Sequence, residues 1–229
     1  MLRDLVYLFF PYHCPGCHNP MYRNEGVICM SCRHKLPLGN FHNVNAKKLE
    51  KVFYGRANIE NATSLLIFQK GTIVQNILHD LKYRGNQRIG EELGKWLGDE
   101  LKLNARYTTV DTIIPVPLHK KRFKERGYNQ VEKFGKQIAE RLQASYEDRV
   151  LIKTTYNKKQ SKSGRFTRWI NASETFAIKN KSLLENQHVL LVDDIITTGS
   201  TLEACVEQLK KIKNIKISIA TMAFTDEDS

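Results

Sequence analysis

Apolar residues recur along the chain in two rhythms. Ile73, Ile77, Leu78 and Leu81 line one face of a helix, and Ile89, Leu93, Leu97 and Leu101 line another. Val131, Phe134, Ile138 and Leu142 form a third helical stripe; Leu202, Cys205, Val206, Leu209 and Ile212 form a fourth. Between the stripes lie short apolar runs at 64–68, 112–116, 150–153, 188–192 and 215–223, which predict strands. The 188–192 run is apolar throughout, the kind buried on both faces of a parallel sheet. Strands alternating with helices predict an α/β fold, a mostly parallel sheet flanked by helices.

The N-terminal quarter lacks that alternation. Residues 2–10 read as a short amphipathic helix, and 12–36 carry cysteines among Pro15, Gly16, Pro20 and Gly26. Such a stretch resembles a knuckle without a conventional core. Polar residues 41–55 read as a linker. The expected organisation is a helix and metal ribbon over 1–40, a linker over 41–55 and an α/β domain over 56–229. Residues 154–176, with Thr155, Gln160, Arg168, Asn171 and Phe176 among basic side chains, form a long loop without apolar period, which fits either open surface or a lid over an anionic substrate.

Composition sharpens this outline. Of 229 residues, 41% are apolar and 26% charged, which excludes a disordered chain. No run approaches the ~20 apolar residues needed to cross a bilayer. The opening apolar run contains Asp4, and no small-residue cleavage site follows it; bulky His13 before Cys14 argues against a lipid anchor there. A cytoplasmic protein without stable membrane insertion is expected. Lys and Arg number 36 against 24 Asp and Glu, a net +12. That excess suits nucleic acid, phosphorylated metabolites or an acidic membrane surface, or it is a basic solubility surface.

Four of the five cysteines fall within the first 32 residues. Cys14-Pro-Gly-Cys17 and Cys29-Met-Ser-Cys32 are separated by eleven residues. Two facing C-x-x-C turns can offer four thiolates in a tetrahedron, which suits a structural Zn²⁺ with no open position. Cys205 lies on a helical stripe and reads as a small buried hydrophobe.

The most informative segment is 189–201, Val-Leu-Leu-Val-Asp193-Asp194-Ile-Ile196-Thr197-Thr198-Gly199-Ser200-Thr201. A buried strand ends in two carboxylates, then a Thr/Gly/Ser turn opens a helix. Ligands of parallel sheets bind beyond the carboxyl ends of strands. A helix N-terminus offers free N–H groups to a phosphate, and glycine permits close approach. The carboxylates would instead accept from neighbouring hydroxyls. A phosphate beside vicinal hydroxyls describes a ribose 5-phosphate. No G-x-x-x-x-G-K-[ST] occurs, which argues against a P-loop nucleotidase, and Thr-Thr-Gly-Ser-Thr after the acidic pair argues against a receiver domain. Nearer the middle, Lys120, Lys121, Arg122, Lys124 and Arg126 place five cations within seven positions after the 112–116 strand. This loop is either a pyrophosphate site or a solvated charge run.

The 189–201 segment resembles the type I phosphoribosyltransferases. That resemblance implies the type I phosphoribosyltransferase fold with a small N-terminal zinc-ribbon module, and a site for 5-phosphoribosyl 1-pyrophosphate. Asp193 and Asp194 would bind the ribose 2- and 3-hydroxyls, and Ile196, Thr197, Thr198, Gly199, Ser200 and Thr201 would cradle the 5-phosphate. Other motifs narrow it: Leu81-Lys82-Tyr83-Arg84-Gly85, Pro115-Val-Pro117, Arg126-Gly127-Tyr128-Asn129-Gln130, and Gln160, Arg168, Asn171 and Phe176. With the cysteine knuckle they resemble the ComF family of competence-associated proteins over residues 14–224. Ser163 departs from the pattern, since the family usually has an apolar residue there.

The ComF resemblance implies a role in natural transformation, alongside other competence proteins, with incoming single-stranded DNA as a partner. It also implies phosphoribosyltransferase chemistry, a glycosyl transfer of a pentosyl group, with Mg²⁺. Lys120, Arg122, Lys158 and Arg168 would neutralise the departing pyrophosphate, and Asp193 and Asp194 would anchor the sugar. Tyr83, Tyr128, Phe166 and Trp169 are candidate stacking surfaces for DNA. Two other functions stay open: a transferase of nucleotide or base salvage, and a non-catalytic adaptor that senses phosphoribosyl pyrophosphate.

Overall fold

The computed structural model describes residues 11–21, 25–154 and 175–226. Its centre is a five-stranded sheet in the order β1-β7-β6-β2-β3, with every neighbouring pair parallel. The strands are β1 (Asn61–Phe68), β2 (Thr112–Pro115), β3 (Ser145–Tyr146), β6 (His188–Ile196) and β7 (Lys216–Thr225). A separate antiparallel pair joins β4 (Leu151–Lys153) to β5 (Phe176–Ile178). The helices are α1 (Met30–His34), α2 (Ala46–Glu50), α3 (Ile73–Tyr83), α4 (Arg88–Lys102), α5 (Lys120–Arg126), α6 (Glu132–Leu142) and α7 (Ser200–Leu209).

Alternation along the central strands divides the core in two. Leu190 and Val192 of β6 and Ala220 and Met222 of β7 join α3, α4 and α6 on one face. Val189, Leu191, Ile217 and Ile219 join α7 and residues 41–53 on the other. Helices α4 and α6 touch closely because glycines leave room: a Cβ on Gly94 would lie 2.5 Å from the Phe134 carbonyl oxygen.

Three expectations change. Residues 41–55 are not a detached linker. They form α2 and a 3-10 turn, Lys51–Phe53, and bury Phe41, Leu49 and Phe53 in the second core. Three apolar residues suffice to anchor the stretch although they follow no period. The cationic run 120–126 is a helix rather than a loop, and it buries none of its residues. Phe176, expected in the lid, is a buried residue of β5 paired with Lys153. The expected helix over 2–10 and the lid residues Lys158, Gln160, Ser163, Arg168 and Asn171 lie outside the described residues, as do Phe166 and Trp169. Among the described residues, no helix is long and apolar enough to cross a membrane.

The cysteine knuckle sits on the first face of the sheet. Cys14, Met21, Ile28, Cys32 and Leu36 belong to the same core as Leu65, Val74 and Leu81. Polar contacts fasten it to α3 and α4. Asn76 donates to the Gly16 carbonyl at 2.9 Å, and Glu92 accepts the Val27 N–H at 2.7 Å. Arg33 pairs with Glu92 at 3.5 Å and lies over the Trp96 ring.

Candidate functional site

Strand β6 runs on through both carboxylates to Ile196, one turn of chain before α7. Gly199 caps that helix with φ 74°, a left-handed conformation that other residues adopt at a cost. A glycine N-cap brings no side chain to the first turn, and no side-chain cap bond is made. The first N–H groups of a helix have no partner within it and carry partial positive charge. Thr197, Thr198, Ser200 and Thr201 are exposed around them, and Thr198 Oγ1 donates to Ser200 Oγ at 3.1 Å. Ile196 is buried. This is an anion-binding geometry.

The two carboxylates have different surroundings. Asp194 is buried on the α3–α6 side. Its Oδ2 receives Gln130 Nε2 at 2.8 Å and lies 3.0 Å from Lys82 Nζ. Asp193 keeps part of its surface open and accepts the Asp194 N–H at 2.8 Å. Burial by surrounding protein, and then the charge of Asp194, push the Asp193 carboxyl up to about 8. Lys153 stands on the same side. Burial lowers its pKa, while Asp193 opposes that shift. Its ammonium lies 5.0 Å from the centre of the Phe176 ring.

The 126–130 motif serves this arrangement. Arg126 donates to Gln130 Oε1 at 2.7 Å and lies over Tyr83 at 5.4 Å. Gln130 passes the network on to Asp194. Asn129 Nδ2 donates to the Val116 carbonyl at 3.0 Å, and the Tyr128 hydroxyl donates to the Leu81 carbonyl. Tyr128 is thus half-buried and tied to the backbone, whereas Tyr83 is exposed. Lys120 and Arg122 are exposed on α5, and Arg122 repels the Lys153 charge. Arg168 lies outside the described residues. Lys82 and Gln130 lie within the 81–85 and 126–130 motifs, but no sequence feature ties them to Asp194, and none marks Lys153.

At the other site, the sulfurs of Cys14, Cys17, Cys29 and Cys32 all lie within 4.8 Å of one another, and Cys17 Sγ is 3.8 Å from Cys29 Sγ. A tetrahedron with Zn–S bonds of ~2.3 Å has edges of about 3.8 Å. Backbone N–H groups reach two sulfurs: Cys29 donates to Cys14 Sγ at 3.5 Å and Cys32 to Cys29 Sγ at 3.4 Å. Burial, and then the neighbouring thiols, push the Cys32 thiol up. A cation would allow these sulfurs to be thiolates together. The cluster can hold a metal ion.

The chain is similar to several known proteins. The family described as phosphoribosyl transferase domain matches residues 132–228. Competence protein F of Haemophilus influenzae is 31% identical over 226 residues, which cover 94% of this chain and 98% of that protein. Competence protein ComFC of Bacillus subtilis is 35% identical over 224 residues, covering 91% and 82%. DNA utilization protein YhgH of Escherichia coli O157:H7 is 28% identical over 137 residues. That match covers 58% of this chain and only 59% of the relative.

Proposed function

The chain belongs to the ComF family of competence-associated, phosphoribosyltransferase-like proteins, and from that premise we propose that it binds 5-phosphoribosyl 1-pyrophosphate with Mg²⁺ at the β6–α7 turn. The observation that carries this reading is the uncapped, glycine-led N-terminus of α7 directly after two carboxylates. The N–H groups and hydroxyls of 197–201 receive the 5-phosphate, with Ile196 contributing backbone alone. Asp193 accepts from the ribose hydroxyls. Asp194 shares that task through the oxygen not turned to Gln130 and Lys82.

The chemistry this arrangement suits is transfer of the phosphoribosyl group. A nitrogen of the acceptor attacks the anomeric carbon, the bond to pyrophosphate oxygen breaks, and the ring passes through an oxocarbenium-like state. No protein nucleophile is needed. The Asp193–Asp194 pair favours positive charge on the ring, and Lys120, Arg122, Lys153 and Arg168 neutralise the departing anion. Bound Mg²⁺ supplies further charge neutralisation at the pyrophosphate. In the knuckle, Cys14, Cys17, Cys29 and Cys32 hold a structural Zn²⁺.

The family's competence role supports a second partner, single-stranded DNA. Helix α5 supports it: five cations, none buried, with Phe123 exposed, beside Tyr83 and its covering Arg126. Exposed aromatics along a cationic track are what unpaired bases stack on. Binding should fall steeply with salt and weaken on charge reversal at Lys120, Lys121 and Arg122. Indifference to both would remove DNA from the account.

Calorimetric titration with phosphoribosyl pyrophosphate and Mg²⁺ tests the primary reading. Wild type should bind, and Asp193→Asn/Asp194→Asn should not; retained affinity in that double variant contradicts the assignment. Pyrophosphate release with candidate nitrogenous acceptors then separates a transferase, including one of base salvage, from a sensing adaptor.

A further inference from the structure

We propose that Arg56 is a positioning residue for the phosphate-binding turn, holding the Thr198–Gly199 peptide so that its N–H is aimed at the anion. This inference rests on the β6–α7 turn being the 5-phosphate site. Arg56 stands 142 positions before Thr198, just past the stretch expected to be a linker. Its guanidinium makes three contacts. Nη1 donates to the Thr198 carbonyl at 2.9 Å and to the Val52 carbonyl at 3.2 Å, and Nη2 donates to Glu203 Oε2 at 2.6 Å.

Each contact bears on anion binding. The peptide bond is trans, since the described chain has no cis bonds. The carbonyl of Thr198 and the N–H of Gly199 belong to one rigid plane and point in opposite directions. Fixing the carbonyl on Arg56 therefore turns the N–H to the other side of the turn. The opposite orientation would present a carbonyl oxygen to the phosphate and repel it. Val52 and Phe53 support the same side: a Cβ on Gly199 would lie 3.1 Å from Val52 Cγ1 and 3.2 Å from Phe53 Cε1.

Glu203 explains the second prong. It sits in the first turn of α7 with its side chain buried, so its charge stands where an incoming phosphate would feel it. Arg56 offsets that charge through a short contact. A surface ion pair alone is worth little. Here one partner is buried and the same guanidinium also grips two carbonyls, a fork that lysine cannot reproduce.

The test compares two ligands, phosphoribosyl pyrophosphate and pyrophosphate, each with Mg²⁺, on wild type, Arg56→Met and Arg56→Lys. Arg56→Met should lose about ten- to hundredfold in affinity for phosphoribosyl pyrophosphate, the scale of a hydrogen bond involving a charged group. Its affinity for pyrophosphate, which lacks the 5-phosphate, should hold. Arg56→Lys should fall between Arg56→Met and wild type. Wild-type affinity for phosphoribosyl pyrophosphate in both variants overturns the brace and leaves the site itself standing. Equal loss of both ligands with a lowered melting temperature also overturns it, because that is general damage. If Arg56→Met does not fold, Arg56→Lys decides alone: weaker binding of phosphoribosyl pyrophosphate only is expected, and wild-type binding contradicts. A wild type that binds pyrophosphate but not phosphoribosyl pyrophosphate overturns the site, and the brace with it.

Discussion

The cysteine knuckle and the β6–α7 turn are the two proposed ligand sites, and they are made in opposite ways. In the knuckle four sulfurs converge, Cys14 and Cys32 are buried, and the module shares the main core with α3 and α4. Four thiolates on one ion would leave no position open for a reactant. In the turn, the donors face outward, the helix N-terminus is uncapped, and the rigid parts lie behind it, on Asp194 and on Val52 and Phe53. A closed ligand set serves folding, whereas an open one supported from behind can take up and release a molecule.

The largest effect that could break this comparison is at the closed site. Cys14→Ser should lose the metal, about one zinc per chain in wild type. It should also lower the melting temperature strongly, because the free energy of holding a structural metal is folding free energy. A metal-free preparation that melts like the metallated protein would show that the knuckle is not built on an ion.

Next come the adjacent carboxylates, which should part company. Asp194→Asn leaves Lys82 without its charge partner and should cost about 2–3 kcal/mol by denaturant unfolding, below the ~3–5 kcal/mol of a fully buried broken pair because Lys82 is partly open. Asp193→Asn should melt no lower than wild type, yet bind phosphoribosyl pyrophosphate at least about tenfold more weakly. Should the two variants exchange these effects, the division between supporting and presenting carboxylate is wrong.

A further effect is on pH. Asp193 binds its proton up to about 8 in the fold, against 3.8 for an unperturbed carboxyl. Between those values the folded chain holds more protons than the unfolded one, so this group's contribution makes stability fall as pH rises. Replacing Asp193 with Asn should flatten that slope, measured by melting between pH 5 and 8. Ligand binding that requires the ionised carboxylate should release a proton near neutrality, seen as a buffer-dependent heat. A wild-type slope no steeper than that of Asp193→Asn would contradict the raised proton affinity of this group.

What the sequence makes legible follows the range of the forces involved. Helices α3, α4, α6 and α7 and strands β1, β2, β6 and β7 each carry an apolar pattern of their own, and pattern is local. Helix α5 has no stripe because no residue of it is buried, so only its charge could be read. Strand β3 has two residues, too few for any period. Residues 41–55 read as a linker because Phe41, Leu49 and Phe53 are scattered, although each is buried. The same holds within the site. The run from Asp193 to Thr201 is contiguous and could be read as a phosphate turn. Its supports could not, because Gln130 and Arg56 reach it across 64 and 142 positions of chain.

The most direct trial of the central claim is a crystal of the protein soaked with phosphoribosyl pyrophosphate and Mg²⁺. The 5-phosphate should lie within about 3 Å of N–H groups of the Gly199–Thr201 turn, with a ribose hydroxyl on Asp193. A ligand seated elsewhere, or a turn that remains empty at saturating ligand, would contradict it.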